Sequence, residues 1–216
     1  MWTASQIVED IITRSPFLAE AIAENITNNS KIARRIKPEV EEKLLKKVSE
    51  ASISMALHRL EKRRLQKPQF GAKFLKQMND ITVRSNLIAF VCPNSVNLSH
   101  VLETLSTSAA QRENAFLIFS RGLRESLFIV GKEFEKEISE ALKKQKYRRI
   151  EGLSAITSKL PEESLDTPGV YYPILRALAL EGISLVEVTS VRTEYGIIFR
   201  DKDVDHAFSV IKRITS

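Results

Sequence analysis

The sequence predicts an α+β protein in which an all-helical N-terminal domain precedes two small mixed domains. Three observations support this fold class: helical spacing of apolar residues from Thr3 to Leu65, strand-like runs that begin near Ile81, and a repeated order of elements thereafter. With 216 residues and 43% apolar composition, the chain is long enough for two or three domains that each bury a core. We expect the following boundaries: 1–66 for the helical domain, 67–79 for a linker, and 80–151 and 152–216 for the two mixed modules.

Successive amphipathic helices, separated by breaks, are predicted for the N-terminal domain. Thr3 or Ser5 can cap the first helix, and Pro16 can begin the second. Pro38 lacks an amide donor, so we expect Pro38–Leu45 to be a separate helix that follows a short one around Ile32. The apolar residues expected to face inward from the second helix are Phe17, Leu18, Ala21, Ile22 and Ile26.

The segment Val48–Leu60 carries the clearest helical pattern. Ser49 is a credible N-cap, and apolar residues follow at i, i+3, i+4 and i+7. Small and hydroxyl residues come first on the opposite face and cations come later, an order that suits a helix whose N-terminal end enters a DNA major groove. The inward residues are expected to be Ile53, Ala56, Leu57 and Leu60, and the DNA-contacting residues Lys46, Lys47, Ser52, Ser54, His58, Arg59 and Lys62.

Positive charge is concentrated in the same region of the chain. Residues 31–76 contain 14 Lys/Arg against 5 Asp/Glu, whereas residues 81–216 contain 18 against 17. Such a local excess favours a polyanion as a partner, because each neutralised phosphate releases counterions. The alternative is a solvated helical surface without a nucleic-acid partner.

Together with Ile32-Ala33-Arg34-Arg35 upstream, this segment resembles the helix-turn-helix of transcriptional regulators. The resemblance implies DNA binding by the N-terminal domain. The sequence departs from the family pattern in a long predicted connection, 37–47, and in having no pair of strands for a wing after Arg64. The alternative is a helical domain that serves protein contacts or dimerisation.

Residues 80–216 repeat one order of elements at an interval of about 65 to 70 residues. The order is βαββαβ, in which two helices cover one face of an antiparallel sheet. The second copy lacks its last strand, so we expect residues 80–85 to supply it and to interlock the two modules. Predicted strands are 81–83, 87–91, 115–119, 126–130, 147–150, 153–159, 184–191 and 196–200; predicted helices are 96–110, 133–144, 170–181 and 204–213.

The second copy carries a specific sequence pattern: Asp166-Thr167-Pro168-Gly169-Val170, a helix that ends in Leu178-Ala179-Leu180-Glu181-Gly182, and then Ile183-Ser184-Leu185-Val186. This pattern resembles the ACT domain, which has a ferredoxin-like fold. The pair of modules resembles the regulatory tail of aspartokinases. In the first copy, Cys92-Pro93-Asn94-Ser95 occupies the corresponding loop and lacks the glycine.

The resemblance implies a small effector, with an amino acid as the expected class. A glycine at a strand-to-helix turn lets the backbone approach a ligand closely, and free amides at a helix N-terminus attract a carboxylate. In the family, the ligand lies between this turn and the start of the second strand of an adjacent module, which here would be residues 184–187 or the equivalent residues of the first copy. The expected ligand-binding residues are therefore Asp166, Thr167, Pro168, Gly169, Val170, Ser184 and Leu185. The alternative is that Pro168-Gly169 is only a turn and the modules serve dimerisation.

Catalytic and metal-binding patterns are absent from the sequence. There is no phosphate-binding glycine loop, and His58, His100 and His206 are scattered over three segments. The single cysteine, Cys92, excludes an internal disulfide and a zinc site built from several thiols. We therefore expect no catalytic residues, no metal, no cofactor and no enzymatic activity. No apolar stretch is long enough to cross a bilayer, so we expect a cytoplasmic protein without a membrane partner.

The combined patterns predict a homodimeric regulator in which an amino-acid effector, bound by the ACT pair, controls DNA binding by the N-terminal domain. One alternative is a regulatory or scaffold protein that does not bind DNA and instead docks on a metabolic enzyme through the helical domain. A second alternative is that both modules are degenerate and only hold the dimer together.

Overall fold

The computed structural model describes residues 2–62, 72–94 and 98–216, apart from the side chains of Lys62, Ala72 and Asn79. The chain divides into two compact units, Met1–Gln69 and Phe70–Ser216. Of the predicted linker, 67–79, residues 67–71 lie outside the described residues.

The described part of the first unit is helical. Its helices are α1 (Ala4–Thr13), α2 (Pro16–Ala23), α3 (Asn29–Leu44) and α4 (Glu50–Lys62). Thr3 caps α1 through a reciprocal pair of hydrogen bonds with Gln6, and Pro16 begins α2, both as predicted. The four helices share one hydrophobic core, to which α4 contributes the predicted stripe Ile53, Ala56, Leu57 and Leu60.

The separate helix that we expected at Pro38 is wrong, because α3 continues through Pro38 to Leu44. A proline inside a helix removes one backbone hydrogen bond and costs about 3 kcal/mol. Ile36 and Val40, which lie on either side of Pro38, are both buried in the core and offset this cost. The connection to α4 therefore contains only residues 45–49, not 37–47.

This connection has a defined geometry at both of its ends. Leu45 ends α3 in the left-handed region, with φ at 55°. Ser49 caps α4, as predicted, because its Oγ accepts a hydrogen bond from the amide of Ser52 at 3.2 Å. A two-helix unit with a short connection is the arrangement that a helix-turn-helix requires.

The inward face predicted for α2 is only partly correct. Ile22 is buried and Leu18 and Ala21 are half-buried, but Phe17 is 63% exposed and Ile26 is 73% exposed. Ala19, which was not among the predicted residues, is buried. Ile26 lies beyond the end of α2, and the chain turns at Asn25, whose φ is 57°, so the helical spacing does not extend to Ile26.

The second unit contains one antiparallel sheet with the strand order β2-β3-β1-β4-β6-β5. The order of elements from β1 onward follows the predicted repeat. The strands are β1 (Asn79–Pro93), β2 (Leu117–Arg121), β3 (Glu125–Gly131), β4 (Arg148–Lys159), β5 (Glu187–Val191) and β6 (Glu194–Arg200). The helices are α5 (Ala72–Leu75), α6 (Ser99–Ala110), α7 (Glu135–Ala141), α8 (Tyr172–Leu180) and α9 (Asp201–Thr215).

Two long strands, β1 and β4, run through both halves of this sheet. The later part of β1 pairs with β3, whereas its early residues 82–84 pair with residues 155–157 of β4. The early part of β4 pairs in turn with residues 89–91 of β1. The strand pairs that we predicted separately, 81–83 with 87–91 and 147–150 with 153–159, are therefore each one continuous strand.

Both long strands deform at equivalent positions. Asn86 in β1 has a φ of 61°, and Gly152 in β4 has a φ of 67°. The residues that follow them, Leu87 and Leu153, pair with each other across the two strands. The β1–β4 register shifts on both sides of Leu87. Such irregularities bend a strand and increase its twist, so they mark the point where each strand passes from one half-sheet to the other.

The two faces of the sheet are covered differently. On the outer face, α6 and α7 pack over the first half and α8 and α9 over the second. The inner face forms a separate hydrophobic cluster, and none of its described residues belongs to a helix. Its buried members, each at most 1% exposed, are Leu87, Ala89, Ile129, Leu153, Ala155 and Ile198. A flat sheet would leave such a face in water, so the inner residues must be covered by the sheet itself.

Curling of the sheet explains this burial. In a flat sheet, β2 and β5 would lie about 24 Å apart, because they are five strand spacings from each other. Residues of β2 and β5 nevertheless line one cleft of about 280 Å³. The two half-sheets therefore face each other across the inner cluster, with helices outside.

We predict that Gly152→Ala destabilises the second unit by about 1 kcal/mol. Its φ of 67° disfavours a Cβ, although the added atom would meet only Asp201 at 3.6 Å, an ordinary contact. Asn86→Gly is the matched control, expected to stay within about 0.5 kcal/mol of wild type because glycine accepts the same backbone. All four tyrosines lie beyond residue 140 and the single tryptophan is Trp2, so tyrosine near-UV circular dichroism follows the second unit during urea unfolding. An unchanged Gly152→Ala midpoint would contradict the strain at this position.

Candidate functional sites

The outward face of α4 contains most of the residues predicted to contact DNA. Lys46 and Lys47 are exposed in the connection that precedes α4, and Ser52, His58 and Arg59 are exposed on the helix itself. Ser54 is half-buried, and the Lys62 side chain lies outside the described residues. A shallow hollow of about 420 Å³ opens on this face, lined by Asn29, Ser54, Met55, His58 and Arg59.

His58 is held by a carboxylate of its own helix. Its Nδ1 lies 3.0 Å from Oε2 of Glu61, and the same oxygen accepts a hydrogen bond from Nδ2 of Asn29 at 3.1 Å. Glu61 therefore brings a negative charge to the edge of the face and ties the start of α3 to α4. His58 is consequently a weaker candidate for a DNA contact than the cations beside it.

The cations of the first unit fall into two groups. Arg34 forms an ion pair with Glu50, and Lys43 lies 3.2 Å from Asp10 and 3.0 Å from Glu39. Lys46, Lys47 and Arg59, in contrast, make no ion pair with any residue that the structure describes. The second group is therefore free to neutralise the phosphates of a polyanion.

The predicted glycine turn precedes α8. Gly169 has φ at 72°, a conformation that favours glycine, and its carbonyl accepts a hydrogen bond from the amide of Tyr172 at 3.0 Å. Asp166, Pro168 and Gly169 are exposed, whereas Thr167 and Val170 are half-buried. The helix begins at Tyr172 rather than at Val170, and Pro173 in its first turn has no amide to donate. The turn has the expected glycine conformation, but fewer free amides follow it than the sequence suggested.

The two groups of predicted ligand residues lie at opposite ends of β5. The turn side is fixed by Tyr171, whose hydroxyl lies 2.9 Å from Oγ of Ser190 near the end of β5. Ser184 and Leu185 precede the start of β5, where the amide of Val186 donates to the carbonyl of Ile198 at 2.8 Å. Five residues of strand, about 16 Å, separate the two ends. The side chain of Tyr171 therefore reaches the end of β5 that lies away from Ser184 and Leu185, while Val170 and Leu185 pack against the same core cluster.

A pair of stacked tyrosines beside the turn was not anticipated from the sequence. The rings of Tyr171 and Tyr195 are nearly parallel, with centroids 4.5 Å apart. Tyr195 is 2% exposed, and its hydroxyl makes no hydrogen bond with any described residue. Burial, reinforced by Tyr171, raises the pKa of Tyr195, so its hydroxyl remains a neutral donor.

In the corresponding loop of the first copy, the structure describes the residues up to Asn94. Asn94 donates through Nδ2 to the carbonyl of Gly122 at 2.8 Å, and its Oδ1 accepts from Oγ of Ser126 at 2.7 Å. The amide of Asn94 also donates to the carbonyl of Arg124. These bonds attach Asn94 to the β2–β3 hairpin, so its side chain and amide are already engaged; Ser95 lies outside the described residues.

The cleft between the edge strands combines groups from both halves of the sheet. Its floor is apolar and includes the buried residues Ala89 and Ile129. Three charged residues line the cleft: Glu125 at the start of β3, Arg148 at the start of β4 and Glu187 at the start of β5. The cleft adjoins the predicted pair Ser184 and Leu185 through its lining residue Val186.

Comparison with solved structures relates this chain to regulatory parts of aspartate kinases. The regulatory subunit from Thermus thermophilus, in its ligand-free form, matches with a TM-score of 0.51 at 13% identity over 64% of this chain and 98% of that chain. The corresponding subunit from Thermus flavus matches with a TM-score of 0.50 at 13% identity, over 64% and 99%. The allosteric aspartate kinase of Clostridium acetobutylicum matches with a TM-score of 0.50 at 12% identity over 64% of this chain, which spans 35% of that enzyme.

These matches establish the fold of the second unit as that of an ACT-type regulatory domain. Residues 70–216 make up about two thirds of the chain and contain the whole described sheet, so the second unit is the part that they concern. No protein-family model matches the chain, and no curated protein matches it. The helix-turn-helix interpretation of the first unit therefore stays a prediction.

Among residues 2–62, 72–94 and 98–216, no group of three or more His, Cys, Asp and Glu side chains is placed to hold a metal ion. The thiol of Cys92 is fully buried, and burial raises its pKa, which disfavours the thiolate that nucleophilic attack requires. In the same described ranges, no helix is long and apolar enough to cross a membrane.

We predict that Tyr195→Phe stabilises the ligand-free protein by up to about 1 kcal/mol, because it removes a buried hydroxyl without a partner. The matched control is Tyr171→Phe, which removes a hydroxyl bonded to Ser190 and is expected to cost up to about 1 kcal/mol. Thermal unfolding followed by far-UV circular dichroism measures both variants. A lower melting temperature for Tyr195→Phe would show that the hydroxyl has a partner.

Proposed function

We propose that this chain is a non-enzymatic regulator that responds to an amino acid. Its second unit binds the effector, and its first unit binds DNA through α4. One observation carries this proposal: the fold of a kinase regulatory subunit occurs in the same chain as a helix whose outer face is flanked by unpaired cations. A sensing unit joined to a basic helical unit is the arrangement of an effector-controlled DNA-binding protein.

The geometry of the first unit supports DNA binding at two points. Only residues 45–49 separate α3 from α4, so the long connection by which the sequence departed from a helix-turn-helix does not exist. Ala51 and Ser52, at the start of α4, are small and exposed, which leaves room for its N-terminal end to approach base edges. Lys46, Lys47 and Arg59 then lie where phosphates would flank the helix.

A homodimer is the proposed form of the effector-binding protein. The resemblance supports this form, because it implies a ligand between the Pro168–Gly169 turn of one module and a strand of an adjacent module, which a second copy can supply. A dimer would also present two α4 helices to two half-sites of DNA. The effector changes DNA affinity to the extent that it binds the two dimer arrangements with different affinities.

We predict that changing Lys46, Lys47 and Arg59 together to Glu abolishes DNA binding at physiological salt. Each lost phosphate contact lowers the slope of log affinity against log salt by about 1. Mobility-shift titration with a mixed-sequence duplex of about 30 base pairs, from 50 to 200 mM salt, measures this slope because non-specific binding depends on phosphate contacts.

The matched control changes Lys143, Lys144 and Lys146 to Glu. These three lysines are exposed in the second unit, and the substitution alters the net charge by the same amount. Equal loss in the two triple variants would mean that overall charge, rather than the α4 face, binds the duplex. Wild-type protein without salt-dependent affinity would rule out the DNA-binding proposal.

We predict that the effector changes DNA affinity by about 5- to 150-fold, the range that couplings of 1–3 kcal/mol produce. Linkage requires the duplex to change effector affinity by the same factor. Calorimetric titration of each of the twenty common amino acids, with and without the duplex, measures the change in effector affinity. Fluorescence anisotropy of a labelled duplex, with and without the effector, measures the change in DNA affinity. An effector that binds and leaves duplex affinity unchanged would contradict the coupling.

Docking on a metabolic enzyme through the helical unit is the competing function. The exposed apolar side chains of Trp2, Phe17 and Ile26 favour it, since they are 60%, 63% and 73% exposed and a protein partner would bury them. Phe17→Ser together with Ile26→Ser should abolish such docking and leave the salt-dependent duplex binding intact. Loss of duplex binding in this variant would instead assign those side chains to the DNA-binding unit.

A further inference from the structure

Three charged side chains in the cleft between β2 and β5 have no charged partner among the residues that the structure describes. Arg148, Glu125 and Glu187 line it, and none of the three makes an ion pair or a side-chain hydrogen bond with any residue among those described. Glu187 is half-buried, so its charge is partly withdrawn from water without a compensating partner. A cleft with one free cation and two free carboxylates suits a ligand that carries both charges.

The neighbouring residue on β4 shows the contrast. Arg149 points to the other side of the strand, where it forms ion pairs with Glu135 and, at 2.6 Å, with Glu151. These three side chains line a second cavity, which is predominantly polar. Because Arg149 is already paired with two carboxylates there, it has little to gain from binding an anionic ligand. Adjacent arginines on one strand thus differ in whether they are available for binding.

The floor of the cleft specifies the rest of the ligand. Ala89 and Ile129 are buried beneath it, and Leu127, Ile150 and Val186 are half-buried around it. The side chains are aliphatic, so an aliphatic group placed against them gains the free energy of apolar burial. The volume of about 280 Å³ lies at the lower end of small-molecule sites and suits a ligand of amino-acid size.

We propose that this cleft binds a free aliphatic α-amino acid within one chain. Arg148 binds its carboxylate, Glu187 binds its ammonium group, and its side chain packs on the floor formed by Ala89 and Ile129. This site is distinct from the Pro168–Gly169 turn and needs no second copy. The inference rests on the proposed function only in naming an amino acid as the effector class, and not on DNA binding.

Occupation of the cleft would join the two free edges of the curled sheet. Glu125 belongs to β3 beside the β2 hairpin, and Glu187 belongs to β5 at the opposite edge of the strand order. A ligand held by Arg148, whose part of β4 pairs with residues 89–91 of β1, and by Glu187 of β5 links the first half to the second across the cleft. Binding is therefore expected to raise the melting temperature of the second unit by mass action.

The test uses the full chain with leucine, isoleucine, valine and methionine as probes, and with isoamylamine and 4-methylpentanoate as analogues that each lack one charged group. Calorimetry measures affinity, and tyrosine near-UV circular dichroism measures the melting temperature of the second unit. We expect at least one of the four amino acids to bind and to raise the melting temperature. Both analogues of leucine should bind at least about tenfold more weakly than leucine if leucine is the ligand, because each leaves one charge of the cleft unpaired.

Variants separate this site from the others. Arg148→Gln and Glu187→Gln should each weaken binding by about tenfold or more, whereas the matched control Arg149→Gln should retain it. Asp166→Asn, in the glycine turn, tests the other candidate effector site instead of the cleft. Binding that survives both cleft variants and is lost in Asp166→Asn would overturn the cleft site and leave the proposed function standing. Absence of binding by all four amino acids would overturn the cleft site, while the duplex titration would still decide DNA binding independently.

Discussion

The backbone ladder between β1 and β4 holds the second unit together. Each of these strands pairs within both half-sheets, so neither half has a complete sheet without a strand that also serves the other. The irregularities at Asn86 and Gly152 let the two strands change direction while remaining paired at Leu87 and Leu153. Curling of the sheet, burial of its inner face and the cleft between its free edges all depend on this shared pair. A perturbation of either half is therefore transmitted to the other through continuous backbone.

The sequence predicted the type and order of the elements in the second unit better than their boundaries. Periodicity distinguishes a helix from a strand because the two place side chains on faces with different spacing. Periodicity does not show that Ile81–Val83 and Leu87–Val91 are one strand, because the polar residues between them predict an interruption. Asn86 in the left-handed region keeps the strand continuous there. Likewise, Pro38 predicted a helix boundary, but burial of Ile36 and Val40 on one core outweighs the missing hydrogen bond.

Local patterns placed the candidate site residues, and tertiary structure decided which of them meet. The glycine conformation at Gly169 and the outward face of α4 follow from local rules, and both were expected from the sequence. The separation of the glycine turn from Ser184 depends on the length of β5, which no local pattern reports. The cleft at Arg148 depends on the curl of a whole sheet, and the partnerless hydroxyl of Tyr195 depends on what surrounds it. Arg148 and Arg149 are neighbours of the same residue type in the sequence, and only the structure shows that Arg149 is paired.

The shared strands also govern where this chain can be divided. Residues 82–84, which cover one side of β4 in the second half, lie ahead of the entire first half in the sequence. A fragment that starts at Gly152 would lack them and would expose the edge of β4 at Ala155, Ile156 and Thr157, two of which are apolar. Bare strand edges with apolar side chains pair with other chains and aggregate. The two halves, although they repeat one order of elements, are thus not exchangeable parts that can be produced or transplanted singly.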